Sequence, residues 1–150
     1  MSREADSRVA GLLHKHFESK DQLVAEACTA AVDAAIASWG MEAQPTINAA
    51  VAAYLSTRHR DNRASGCPLA AIGSELSRSD RKARAAATAG FVRLVEILAG
   101  KAGTAEARRR ALVATATMIG AVTMSRMVTD PELSAEILRE AEKNLIAARS

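Results

Sequence analysis

The chain has 150 residues, 49 % of them hydrophobic but only 3 % aromatic, and a formal net charge of +3. That length supports a single domain with its own core, and so slight a positive charge is weak ground for a nucleic-acid partner. No stretch approaches the apolar length of a membrane span, the N-terminus lacks the apolar core of a signal peptide, and Cys28 and Cys67 lack metal or redox spacing, so a cytoplasmic protein with free thiols, no membrane contact and no cofactor is expected.

Alanine supplies much of the apolar content, and runs of alternating polarity are nearly absent, which predicts an all-α fold. Residues 7–16 read as a short helix, and Ser19 with Gln22 forms a capping box for the next. Val24, Cys28, Val32, Ile36 and Trp39 give that second helix one apolar face, and Gly40 suits its end. Pro45 fits the first turn of a third helix with the stripe Ile47, Val51, Tyr54 and Leu55. The run RHRDNRASG, from Arg58 to Gly66, is polar and unpatterned and reads as a charged loop. Pro68 restarts a short helix through Leu69, Ile72 and Leu76. Ser79 or Asp80 starts another, with Phe91, Leu94, Val95 and Leu98 inward and Gly100 closing it.

Thr104 caps a long helix to about Val128, and Asp130 with Pro131 opens the last, ending near Ala148. Leu112, Ala116, Gly120 and Met124 form one ridge of the first, with small residues in the middle that admit a close neighbour. Leu133, Ile137, Ala141 and Leu145 repeat the spacing on the second. Two long helices with wide apolar faces at a chain end suggest half of an intermolecular four-helix bundle, hence a C2 homodimer.

The most specific stretch runs Gly11-Leu12-Leu13-His14-Lys15-His16-Phe17-Glu18-Ser19-Lys20-Asp21-Gln22-Leu23. It resembles the TetR-family signature, a Gly-x-Leu-Tyr-x-His-Phe block followed by Ser-Lys-Glu-x-Leu. Gly11, Leu13, His16, Phe17, Ser19, Lys20 and Leu23 match, with Asp21 in the acidic slot and His14 where the family has tyrosine. The stretch from His59 through Leu69, and then Phe91 to Leu98, is similar to the sensor body of one TetR branch. The resemblance implies a remnant of a helix-turn-helix head over residues 1–18 and a ligand-sensing, dimerising body over 19–150. It also implies a ligand-responsive DNA-binding regulator of the repressor kind. On that pattern Leu12, His14 and Lys15 face operator DNA and Lys20 reaches a phosphate. A small apolar or amphipathic effector binds the body, and Trp39, Tyr54, Cys67, Phe91 and Met118 are candidate pocket residues. Only ten residues precede Gly11, fewer than the two helices that position a recognition helix, so specific DNA binding by this chain alone is not expected.

Other readings are weaker. His14 and His16 point about 200° apart on a helix and cannot share a metal ion. Arg108, Arg109 and Arg110 read as a solvated face. Cys67 is either a sensor thiol near a pocket mouth or a small residue at a helix start. No phosphate loop, nucleophile elbow or ligand set supports an enzyme. The competing function is a dimeric helical module that binds a small ligand or a protein without touching DNA.

Overall fold

A computed structural model describes residues 20–39, 46–64, 66–100 and 103–148. Its helices are α1 (Lys20–Trp39), α2 (Ile47–Tyr54), α3 (Thr57–Asp61), α4 (Pro68–Arg78), α5 (Arg81–Ala99), α6 (Ala105–Met127) and α7 (Pro131–Ala147), and the described residues contain no strand. The side chains of Lys20, Asp21, Ser38 and Trp39 lie outside the described set. None of the described helices is long and apolar enough to cross a membrane.

Local chemistry sets most boundaries. The Asp80 carboxylate accepts from Ala83 N at 2.8 Å and opens α5, while Ser79 ends α4. Thr104 Oγ1 accepts from Ala107 N at 3.1 Å at the start of α6. Asp130 accepts from Glu132 N at 2.8 Å ahead of Pro131, whose missing N–H costs nothing in a first turn. Gly100 ends α5 with φ of 65°, the left-handed region that favours glycine. The cap of α2 is Thr46, whose hydroxyl accepts from Ala49 N at 3.1 Å, one residue after the proline expected to start it.

The core joins every layer. Cys28, Val32 and Ile36 of α1 pack with Val51 and Tyr54 of α2, Leu94, Val95 and Leu98 of α5, and Met118 and Val122 of α6. The most extensive helix contact is α1 on α5, and α6 packs broadly on both α5 and α7. Gly90 permits the first of these: a Cβ there would lie 2.8 Å and 3.1 Å from the two Val32 methyls. Exposed Arg93 and Asp33 add an ion pair across the same two helices. Gly90→Ala should gain about 1 kcal/mol of helix propensity but lose about 1–3 kcal/mol to overpacking against a stiff β-branched residue. The expected net result is a protein destabilised by about 1 kcal/mol, and pairing it with Val32→Ala should give less than the sum of the two losses in thermal denaturation.

The run from Arg58 to Gly66 corrects the sequence expectation. It is not a free loop: Thr57–Asp61 form α3, capped by Ser56 Oγ accepting from His59 N at 3.1 Å. His59 is 5 % exposed, with Nδ1 2.6 Å from the Tyr54 carbonyl and Nε2 accepting from Cys67 N at 3.2 Å. These partners require the neutral ring with its proton on Nδ1. Arg126 of α6 donates from Nε to the Arg60 carbonyl and from Nη2 to the His59 carbonyl, both at 3.0 Å. Arg60 Nη1 donates to Ser134 Oγ at 3.0 Å, and that hydroxyl donates to the Ser125 carbonyl at 2.6 Å. The polar run lacks an apolar period because its helix is a single turn held by polar contacts rather than by a hydrophobic stripe.

Burial lowers the His59 pKa from its ordinary 6.5, with nearby Arg126 acting in the same direction and the Tyr54 carbonyl opposing. The unfolded chain therefore binds the proton more readily than the folded one. Stability from this group is complete above pH 6.5, falls as the pH drops below 6.5, and levels off beneath the lowered folded value. Urea titrations between pH 7.5 and 5 should show this loss in the wild type and a smaller one in His59→Gln.

A second correction concerns α4. Ile72 was expected on its buried face, but its φ of −130° and ψ of 23° break the helix, and the side chain is 39 % exposed. Thr123 Oγ1 of α6 donates to the Ala70 carbonyl at 3.1 Å beside this kink.

Candidate functional site

Two surfaces of the body stand out. The first is an open groove of about 350 Å³ between α4, α5 and α6. Leu69 and Leu76, both buried, with half-buried Phe91 and Ile119, make its floor. Gly73, Ser77, Arg84 and Thr88 make its exposed rim. A Cβ at Gly73 would meet nothing within 4 Å, so the α4 side of the groove is unobstructed. The size lies within the usual range of small-molecule sites, roughly 300–1,000 Å³.

The second surface is the outer face of α6. Val113 is 64 % exposed and Met127 65 %, with Leu112, Ala116 and Met124 also exposed. A Cβ on Gly120 would find nothing within 4 Å, so this glycine lies open on the same face. Positions 113, 120 and 127 are seven residues apart, which returns a side chain to nearly the same angle after two turns. Leu133 of α7 adds another exposed apolar group. At the N-terminal end of α6, Arg109 and Arg110 both pair with Glu106 and hold its carboxyl below the ordinary range. A cleft of about 270 Å³ beside Val113, between the start of α6 and the end of α7, extends the apolar surface.

Residues 43–143 match the family described as transcriptional regulator LmrA/YxaF-like, C-terminal domain, a division of the TetR regulators. The chain belongs to the TetR family. No curated protein matches it significantly.

Within this TetR body the expected site residues separate into distinct places. Among the expected pocket residues, Phe91 lines the groove. Tyr54, Cys67 and Met118 are instead buried in the core and do not line it, because they fill the junction of α2, α4 and α6. The Cys67 thiol sits against Tyr54, and burial pushes both groups above their ordinary pKa values, which opposes a reactive thiolate. The Trp39 and Lys20 side chains, and all of Leu12, His14 and Lys15, lie outside the described residues.

Of the expected interface residues, Leu112, Ala116, Gly120 and Met124 of α6 face away from their own core, as does Leu133 of α7. Ile137 and Ala141 are half-buried against that core, and Leu145 is 8 % exposed within it. Sequence spacing missed the two most exposed apolar side chains of this face, Val113 and Met127. Their signal was the seven-residue interval through Gly120, which a search at four-residue spacing passes over. It also missed Leu69, Leu76, Arg84 and Ile119 as a set, because three separate helices bring them together.

Proposed function

We infer that this body is the sensing and dimerising part of a ligand-responsive, DNA-binding transcriptional repressor. A small apolar or amphipathic molecule enters the groove between α4, α5 and α6, and two copies join through the outer faces of α6 and α7. The observation that carries this reading is that α6 serves both surfaces with adjacent residues: Ile119 lines the groove and Gly120 lies on the open apolar seam. A ligand pressing on α6 therefore acts beside the contact between copies.

The groove is linked to α1 only through α5. Phe91 belongs to α5, whose Gly90 rests against Val32 of α1. In our reading α1 continues from the DNA-binding head at residues 1–18, with Leu12, His14 and Lys15 toward operator bases and Lys20 toward a phosphate. A shift of α5 against α1 changes the separation of two recognition helices in the dimer, and successive major grooves accept only a fixed separation. The effector must bind the non-matching arrangement more tightly, and its regulatory effect is limited by that preference.

Deleting the gene and measuring all transcripts tests the regulatory reading. Transcription of neighbouring genes should rise severalfold and fall again when the gene is restored. Unchanged transcripts throughout the genome would support the DNA-independent binding module instead.

A further inference from the structure

We propose that the groove takes an amphiphile with an anionic head, a medium-chain carboxylate, held at its head by Arg84; this rests on the reading of the groove as the effector site. Arg84 is the one charged side chain among the described residues of the groove's lining, and no described acidic side chain pairs with it. The two rim hydroxyls are already turned onto their own helices. Thr88 Oγ1 donates to the Arg84 carbonyl at 2.8 Å, and Ser77 Oγ donates to the Ser74 carbonyl at 2.8 Å. The donor left to an incoming polar group is the guanidinium, whose fork matches the two oxygens of a carboxylate.

The floor sets the rest of the ligand. Arg84, Thr88 and Phe91 lie on one face of α5 at successive turns, and the rise from Arg84 to Phe91 is about 10.5 Å. An extended alkyl chain advances roughly 1.25 Å per carbon, the projection of a 1.5 Å single bond, so about eight carbons run from the head to Phe91 and Ile119. Leu69 and Leu76 cover that path from α4. A polar head at the Phe91 end would lose its water without gaining a partner, which sets the direction of binding.

Calorimetric titration below micelle-forming concentration, using the full chain, compares decanoate, decanol and decyltrimethylammonium. Decanoate should bind saturably, one per protomer, about tenfold or more tighter than decanol, and the cationic amphiphile should be weakest. Each methylene removed, from decanoate to octanoate to hexanoate, should weaken binding about two- to fourfold. Arg84→Gln, at an exposed position, should bring decanoate down to the affinity of decanol while leaving decanol unchanged. Thr88→Trp, which fills the groove from its rim, should remove binding of both.

Equal affinities for decanoate and decanol, both lost in Thr88→Trp, would overturn the anionic head while leaving the groove as the effector site. Decanoate binding that survives Thr88→Trp would overturn the placement. Saturable binding by none of these probes would overturn the anionic-amphiphile assignment as well, and a fluorescent apolar dye still displaced by Thr88→Trp would keep the groove reading standing.

Discussion

Gly120→Arg should convert the protein from a dimer to a monomer in sedimentation velocity, raising the dissociation constant about a thousandfold or more. The protomer itself has room for the new side chain, because a Cβ at Gly120 meets nothing within 4 Å. Far-UV circular dichroism should therefore remain that of a helical protein. The loss arises between copies. In a C2 interface each residue near the axis faces its own counterpart, so one substitution places two guanidinium groups against each other. Removing an unpaired charge from water costs several kcal/mol, and each 1.4 kcal/mol is a tenfold change in affinity. Val113→Glu and Met127→Glu, at the most exposed apolar positions of the same helix, should act in the same direction. A wild type that sediments as a monomer, or a Gly120→Arg variant that remains dimeric, would refute the seam as the contact between copies.

Arg126→Ala should lower stability by about 2–4 kcal/mol, the largest loss expected from any single polar side chain of the body. Its guanidinium satisfies the carbonyls of both His59 and Arg60, and it joins α3 to α6. Hydrogen bonds from a charged donor contribute about 1.5–3 kcal/mol each, somewhat less here because Arg126 is only half-buried. For a chain of this size the midpoint of thermal unfolding should fall by roughly 5–12 °C, compared at equal protein concentration because any self-association would also shift it. Arg126→Lys should recover less than half, since an ammonium cannot reproduce the two-pronged contact. Gly66 provides an independent check. A Cβ there would lie 2.7 Å from Arg126 Nη2 and 2.8 Å from the Asn62 carbonyl oxygen. Gly66→Ala should therefore displace the same guanidinium, and the Arg126→Ala and Gly66→Ala losses should combine to less than their sum. Strict additivity would mean that Gly66 acts through the Asn62 contact alone.

The family was legible from one stretch, Gly11 to Leu23, and the starts of α5, α6 and α7 from single residues. A cap is a local event: Asp80, Thr104 and Asp130 each bond to a backbone N–H within three positions, so residue type and spacing suffice to find them. The buried stripes of α1 and α5 follow in the same way, because a period near 3.6 states which side chains share a face. What a period does not state is what that face meets. Tyr54, Cys67 and Met118 have the chemistry of a pocket lining, yet they lie in the core while Phe91 lines the groove. That division depends on where α2, α4, α5 and α6 come to rest.

The tertiary structure alone decided the role of the polar run at 57–61. Its helix is one turn long, and its binding energy comes from Arg126 and Ser134, more than sixty residues away. No local pattern can report a partner at that distance. The same holds for the α4 kink at Ile72 and for the groove, whose lining residues come from three helices. Sequence determined the helical fold and where the longer helices α5, α6 and α7 start, since backbone caps and periodicity act over a few residues. Packing determined which apolar and charged side chains are left facing solvent, and those are the ones available to a ligand or a second copy.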